Sequence, residues 1–111
     1  MKDYIYKETV YMNLLTSESD IKDWIMEGDG VVSGPVKRMR MEATRDPEEG
    51  QKANIVFWCP DDFPDNISIS WDFYPVREPG LCILFFAATG INGEDLFAPS
   101  LAKRNGPYKQ Y

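Results

Sequence analysis

Polar side chains recur at every second position between residues 68 and 74, which is the spacing of one face of a β-strand. The polar positions are Ser68, Ser70, Asp72 and Tyr74, and the apolar positions between them are Ile67, Ile69, Trp71 and Phe73. Hydroxyl and carboxylate groups in such a row can form hydrogen bonds with saccharide hydroxyls, so the row is a candidate floor of a sugar-binding groove. An ordinary solvated strand face has the same pattern.

Two adjacent acids, Glu94 and Asp95, follow the most apolar run of the chain. Cleavage of a glycosidic bond needs two carboxyl groups that flank the bond. Adjacent residues of an extended chain point apart, so a better pair would join one of these acids to Asp72 across strands. Asp72, Glu94 and Asp95 are therefore the candidate catalytic residues. Turn formation, or calcium binding through carboxylate oxygens, would explain the acidic pair equally well.

Two further side chains suit a sugar ligand. The indole of Trp58 could stack on a pyranose ring, whereas Trp24 and Trp71 lie at apolar positions and are expected in the core. The guanidinium of Arg77 could bind the carboxylate of a uronic acid, although a solvent-exposed turn explains it as well. The predicted substrate-binding residues are Trp58, Ser70, Tyr74 and Arg77.

The elements that would position these residues are short strands separated by turns. Gly, Pro and Asn clusters bound the apolar runs, and no helical period is sustained. A single short helix is expected near residues 18–25, because Ser17 and Asp20 have capping-box spacing and Gly28 stops the helix. Thr44–Lys52 reads as a surface loop. About six strands are predicted, at 4–13, 31–32, 36–43, 53–59, 66–74 and 81–89.

The last of these strands, Leu81–Thr89, is apolar on both faces and should lie centrally in a sheet with a layer on each side. The pattern therefore predicts an all-β, antiparallel, two-sheet β-sandwich. Apolar surface left in water costs about 25 cal/mol per Å², so covering strands should follow Tyr111 or come from a second molecule. Residues 1–111 are predicted to be the N-terminal part of a single, truncated sandwich domain.

Composition excludes several classes of partner and reaction. The formal net charge is -6 and no basic run exceeds two residues, so nucleic acid is not an expected partner. The N-terminus lacks an apolar block and the longest apolar run is too short to span a bilayer, so no membrane partner and a cytoplasmic location are expected. The chain contains no histidine, which excludes imidazole chemistry within it. No cofactor is predicted, and Cys59 and Cys82 are expected to be buried free thiols.

Six strings of the sequence form a recognisable set: Asp20–Trp24, Phe57–Pro60, Trp71–Phe73, Glu78–Cys82, Leu84–Ala88 and Gly93–Phe97. In these strings the chain resembles the YesU-like family, a domain of unknown function similar to concanavalin A-like lectins and glucanases. The resemblance covers most of the chain and implies a jelly-roll sandwich. Members of that family are longer than this chain, which places the second half of the sandwich, and any site shared with it, outside these residues.

These observations together predict a carbohydrate-binding or carbohydrate-processing β-sandwich that acts on polysaccharide-derived saccharides, with a carbohydrate as its ligand. A glycoside hydrolase or lyase with paired carboxylates is one alternative. The other is a non-catalytic interaction module that forms a homo-oligomer through exposed sheet edges. The residues alone do not decide whether the chain is an enzyme.

Overall fold

The protein is described by a computed structural model over residues 5–34, 37–77 and 80–111. The described strands are β1 (Ile25–Glu27), β2 (Gly30–Ser33), β3 (Arg40–Ala43) and β4 (Val56–Trp58). They form two short antiparallel sheets, one pairing β1 with β4 and the other pairing β2 with β3. Ile25 lies opposite Trp58 in the first sheet, and Gly30 lies opposite Ala43 in the second.

Consecutive strands β1 and β2 thus belong to different sheets, and a two-residue turn at Gly28 and Asp29 separates them. The carbonyl of Asp29 accepts hydrogen bonds from the backbone N–H of Thr44 at 2.9 Å and from its hydroxyl at 3.1 Å. These bonds fasten the end of β3 to the start of β2. The strands predicted at 36–43 and 53–59 are therefore confirmed over shorter ranges, and the strand predicted at 31–32 is confirmed over the longer range Gly30–Ser33. Residues 35 and 36 lie outside the described part.

The predicted helix is a single 3₁₀ turn, Glu18–Ile21, and the chain enters β1 at Ile25, inside the predicted helical range. The carboxylate of Asp20 accepts backbone N–H groups from Thr16 at 2.9 Å and Ser17 at 3.2 Å, as the capping pattern predicted. These bonds to the charged form hold the pKa of Asp20 below its ordinary value.

The predicted surface loop contains further 3₁₀ structure. Pro47–Ala53 consists of two 3₁₀ turns that meet at Gly50, where φ is 65°. Another 3₁₀ segment is Tyr108–Gln110. The backbone N–H of Tyr108 donates a hydrogen bond to Gln51 Oε1 at 2.9 Å. No helix among the described residues is long and apolar enough to cross a membrane.

The small core is built around β4, where Val56 and Trp58 are buried. The Trp58 indole N–H donates to Glu27 Oε1 at 2.5 Å, and Arg104 Nη2 lies 3.0 Å from Glu27 Oε2. The Glu27 and Arg104 side chains are 12% and 11% exposed, so this ion pair is largely desolvated. It ties the chain around residue 104 to the first sheet.

Aromatic rings extend this core. Trp24 packs on Phe57 with ring centroids 5.2 Å apart, as expected for a tryptophan on an apolar position. Phe85 and Tyr111 stack at 5.6 Å and flank the ring of Trp58 at 5.7 and 6.3 Å. Burial, and then the nearby Glu27 carboxylate, raise the pKa of Tyr111.

Three predicted strands form no ladder with any described residue. Residues 5–13, 66–74 and 81–89 run without strand pairing, and Tyr4 lies outside the described range. Trp71 is 54% exposed, Leu81 is 80% exposed and Phe86 is 73% exposed. The expectations of a core Trp71 and of a Leu81–Thr89 strand covered on both faces are therefore wrong for this chain by itself. A strand needs a ladder partner, and the four described strands pair only with one another.

The two faces of β3 also differ from the prediction, which placed Met41 inward and the charged residues outward. Met41 is exposed, whereas Arg40 and Glu42 are half-buried. The reason is electrostatic, because the Glu42 carboxylate lies between the guanidinium groups of Arg40 and Arg77. Both cysteines are free, as predicted, but Cys59 is half-buried and Cys82 is exposed, whereas both were expected to be buried.

Candidate functional site

A cleft of about 710 Å³ opens beside β2 and β3 and receives Arg77, one of the predicted substrate-binding residues. Five of the eight residues that line this open cleft are polar or charged, and Val31, Ala43 and Pro47 are apolar. Its lining includes Val31, Glu42, Thr44, Arg45, Asp46 and Arg77. The cleft is therefore a place where hydrogen-bonding groups of both charge signs converge, as they do in sites for small polar ligands.

Charge pairing in this cleft leaves Arg77 available to a ligand. Glu42 Oε1 lies 3.6 Å from Arg77 Nη2, and Glu42 Oε2 lies 3.6 Å from Arg40 Nη2. The Arg77 side chain is 68% exposed, so its pairing with Glu42 is loose and solvated. A guanidinium in this state can exchange a solvated partner for a ligand carboxylate or hydroxyl.

A second cleft of about 400 Å³ adjoins the first, and Arg45 lines both. Arg45 Nε lies 2.5 Å from Asp29 Oδ2, and Arg45 Nη1 lies 3.1 Å from Glu49 Oε1. The hydrogen bond with Asp29, followed by the charge of Asp29 and the pairing with Glu49, raises the pKa of Arg45. The guanidinium therefore stays charged between the two clefts.

The far wall of the second cleft carries two amides and two lysines. Gln110 Nε2 donates to Asn105 Oδ1 at 2.8 Å, and Asn105 N donates to Gln110 Oε1 at 2.6 Å. Lys52 and Lys109 complete the lining and form no ion pair with a described acid. This wall presents amide groups and positive charge to the cleft.

Two glycines allow the backbone segments beside the second cleft to approach each other closely. Gly28 has φ +96° and Gly106 has φ +116°, and both backbones approach the carbonyl oxygen of Asn54 too closely for a side chain. Gly28 precedes Asp29, and Gly106 follows Asn105. The chain thus brings residues from the turn between β1 and β2, the Pro47–Ala53 segment and the C-terminal 3₁₀ turn to one place.

The polar row predicted as a groove floor is solvent-exposed. Ser70, Asp72 and Tyr74 all lie on the segment that leads to Arg77, without a strand partner among the described residues. Of this group, only Arg77 lines a described cleft. The side chains of this row are therefore accessible to solvent, but they do not line a described cleft.

Two of the predicted catalytic acids, Glu94 and Asp95, accept hydrogen bonds from backbone N–H groups of the turn in which they lie. Glu94 Oε2 accepts the Asn92 N–H at 2.9 Å, and Asp95 Oδ1 accepts the Phe97 N–H at 2.8 Å. Hydrogen bonds from the backbone N–H groups of Glu94 itself and of Asn92 lower the pKa of Glu94. A general acid for glycoside cleavage needs a raised pKa, so this environment does not favour that role for Glu94.

Trp58 does not present a free ring face to solvent. It is 8% exposed, its indole N–H is occupied by Glu27, and Phe85 and Tyr111 flank its ring. The prediction that it stacks on a sugar is corrected, because β4 points this side chain into the core. Among the described residues, no three His, Cys, Asp or Glu side chains could hold a metal ion together.

Sequence reasoning missed most of the cleft residues, above all Arg45, Lys52, Asn105 and Gln110. Arg45 and Lys52 lie in a segment without apolar residues, which reads as a plain surface loop. Their convergence with Asn105 depends on a contact between residues about 50 positions apart, and no local pattern encodes it. The glycines at 28 and 106 were the available signal, since close backbone approach often requires glycine.

The fold and clefts described above belong to a β-sandwich of galectin-like fold. A solved structure from Bacillus subtilis, described as a protein of unknown function with a galectin-like fold, matches with a TM-score of 0.85 at 51% identity. That match covers 96% of this chain and 47% of the solved chain. The predicted antiparallel sandwich class is thereby confirmed.

The chain belongs to the family described as a domain of unknown function (DUF1961), which matches residues 8–111. The uncharacterized protein YesU of Bacillus subtilis (strain 168) is 51% identical over 109 residues. That alignment covers 96% of this chain and 47% of YesU, so the chain spans about half the length of the curated relative that it matches. The resemblance to the YesU-like family is confirmed.

Proposed function

We propose that this chain binds polysaccharide-derived saccharides that carry carboxylate groups, such as oligosaccharides with uronic acid units. The observation that carries the proposal is the pair of adjoining clefts that share Arg45. The galectin-like fold supports the broader reading as a carbohydrate-binding sandwich.

The chemistry of the lining selects this ligand class. Arg45 and Arg77 can form paired, charge-assisted hydrogen bonds with carboxylates, and Lys52 and Lys109 add positive charge to the second cleft. The amides of Asn105 and Gln110 suit sugar hydroxyls, which both donate and accept. The lining of the second cleft has three cations against the single acid Asp29, so it concentrates positive potential on a chain of net charge -6, whereas the charges that line the first cleft balance.

The exposed row on the segment before Arg77 supplies a second set of proposed contacts. Ser70, Asp72 and Tyr74 present two hydroxyls and one carboxylate to solvent. A saccharide held at Arg77 can extend along this row. We place binding ahead of hydrolysis, because Glu94 and Asp95 are engaged in turn hydrogen bonds.

Isothermal titration calorimetry with uronate-containing and neutral oligosaccharides tests the proposal. Arg77→Ala should weaken uronate binding at least tenfold, because a charge-assisted hydrogen bond contributes about 1.5–3 kcal/mol. Arg38→Ala is the matched control, since Arg38 is an exposed arginine near the same strand and lines neither cleft. Its affinity should equal that of the unaltered chain.

A second pair of variants separates the cleft from the row. Lys52→Ala reports on the second cleft, and Tyr74→Phe removes one hydroxyl of the row without changing the ring. The proposal is overturned if no uronate-containing oligosaccharide binds, if neutral oligosaccharides bind as tightly as uronate-containing ones, or if Arg77→Ala and Arg38→Ala bind equally well.

A further inference from the structure

The sequence contains two Asn–Gly dipeptides, Asn92–Gly93 and Asn105–Gly106. Glycine has no Cβ to obstruct its backbone nitrogen, so in such a pair that nitrogen can attack the side-chain carbonyl carbon of the asparagine. The attack forms a C–N bond that closes a succinimide ring, and the side-chain nitrogen leaves as ammonia with the proton of the glycine N–H. Water then opens the ring at either of its two carbonyl groups and yields aspartate or isoaspartate. The reaction makes asparagine a thermolabile residue wherever the local structure permits ring closure.

The first dipeptide lies in a turn that leaves its reacting groups open. Asn92 and Gly93 are both exposed, and nothing lies within 4 Å of the position that a Cβ of Gly93 would occupy. The backbone N–H of Asn92 donates to Glu94 Oε2 at 2.9 Å, but no hydrogen bond joins its side chain to a described residue. The attacking nitrogen of Gly93 donates to the Gly90 carbonyl at 2.9 Å, which is a single bond of an exposed turn. The side chain and the glycine nitrogen can therefore reorient for ring closure.

The second dipeptide is held at both of its residues. Gln110 Nε2 donates to Asn105 Oδ1 at 2.8 Å, and the backbone N–H of Asn105 donates to Gln110 Oε1 at 2.6 Å. Gly106 is buried at φ +116°, where its backbone lies against the Asn54 carbonyl. Ring closure at Asn105 would have to break both bonds to Gln110 and turn the buried peptide group of Gly106.

We propose that Asn92 is a site of spontaneous deamidation and that Gln110 protects Asn105 from the same reaction. The two dipeptides have identical chemistry, so the difference between them comes from the fold. The proposal names a modification site in the turn and gives Gln110 a positioning role in the second cleft.

The modification would change the turn around Asn92. A carboxylate there would add to those of Glu94 and Asp95, and like charges at short range repel. Isoaspartate would also lengthen the backbone by one methylene group inside a turn that is closed by bonds from Gly93 to Gly90 and from Gly90 to Glu94.

Protection at Asn105 matters for the second cleft, which Asn105 lines together with Lys52 and Lys109. Deamidation would place a second carboxylate in that lining, beside the single acid Asp29. This consequence rests on the proposed function, under which added negative charge would weaken the binding of an anionic sugar. The deamidation rates themselves do not depend on it.

Peptide mass spectrometry of the folded protein, incubated in mildly alkaline buffer and sampled over time, tests the proposal. Asn92 should deamidate at least about tenfold faster than Asn105, because the Asn105 side chain and backbone must first leave Gln110. Comparable rates at the two residues would overturn the proposal, as would the absence of reaction at Asn92.

Gln110→Ala should raise the deamidation rate of Asn105 at least about fivefold, because it removes both bonds that hold this residue. Gln51→Ala is the matched control, since Gln51 accepts the Tyr108 N–H of the same 3₁₀ segment but does not contact Asn105 through a hydrogen bond. Far-ultraviolet circular dichroism checks that both variants keep the fold before incubation. An unchanged rate in Gln110→Ala, or an equal increase in Gln51→Ala, would overturn the protective role of Gln110. No saccharide enters this assay, so its failure would leave the proposed function standing.

Discussion

Glu27 shows how one carboxylate can organise a small core. It accepts the Trp58 indole N–H and pairs with Arg104, whose Nη2 also donates to the Leu96 carbonyl at 2.9 Å. The Arg104 guanidinium lies 5.8 Å from the centroid of the Tyr111 ring. Every polar atom that these contacts bury is used, which is the condition under which a desolvated ion pair is tolerated.

Replacing Arg104 with Met should destabilise the chain by about 3 kcal/mol, because it leaves the Glu27 carboxylate desolvated without a cationic partner. Arg45→Met breaks an exposed pair instead and should cost about 1 kcal/mol or less. Urea denaturation followed by tryptophan fluorescence measures both free energies of unfolding. Equal losses in the two variants would contradict the importance assigned to burial of the Glu27 pair.

The segments around Asn54 are held together by close backbone approach rather than by side-chain packing. Gly28 and Gly106 come from sequence positions 78 residues apart, and both meet the Asn54 carbonyl at positive φ. Such a junction tolerates no Cβ, so it fixes the distance between the first turn and the C-terminal 3₁₀ segment. The second cleft depends on that distance.

Gly106→Ala should therefore destabilise the chain more than backbone strain alone implies, because the added Cβ would also overlap the Asn54 carbonyl. Gly50→Ala is the control, because Gly50 also has positive φ, 65°, but faces open space. Gly50 has φ 65° and ψ -132°, a conformation that residues with a Cβ rarely adopt, so Gly50→Ala should cost about 1–3 kcal/mol from backbone strain alone. Thermal unfolding of both variants compares them, and equal melting temperatures would show that the contact with Asn54 is not restrictive.

Local sequence patterns correctly predicted several elements that are determined by neighbouring residues. The Ser17 and Asp20 cap, the turn at Gly28 and the Val56–Trp58 strand all follow from nearby residues. The faces of β3 were not predictable from alternation, since the burial of Arg40 and Glu42 depends on Arg77, which lies more than 30 residues away. A strand at Leu81–Thr89 was predicted from its composition, but none of the described strands pairs with it.

Of the residues predicted from the sequence to form the site, only Arg77 lines one of the two described clefts. Its guanidinium chemistry suggested a uronic acid ligand before its cleft was known, and the cleft gives that side chain neighbours of suitable type. Trp58 has equally suitable chemistry, but its direction is set by pairing with Ile25 across β1 and β4. Residue type thus indicated the ligand class, whereas tertiary contacts decided which side chains can reach it.

Taken as one body, the chain buries less surface than its length allows. A chain of 12.8 kDa exposes about 18,500 Å² when unfolded, and an ordinary fold would bury about 12,300 Å² of that. With 9695 Å² still exposed, this chain buries only about 70% of the ordinary amount. Its stability therefore rests on the contacts around Trp58 and the two short sheets.

The urea dependence of unfolding should report this deficit directly. The m-value scales with the surface exposed on unfolding, so we expect about 70% of the value for an ordinary domain of equal length. Unfolding of a compact monomeric domain of 111 residues under the same conditions provides the reference. An m-value equal to the reference would mean that the free chain is more compact than its radius of gyration of 15.6 Å indicates.

The position of Arg45 between the two clefts affects how many ligand molecules one chain can bind. One guanidinium serves both recesses, so two short sugars filling them would compete for the same positive charge. A longer oligosaccharide that crosses from one recess to the other would use that charge once and gain contacts on each side. On the proposed function, the arrangement rewards contiguous saccharide units over separate ones and gives a stoichiometry of one.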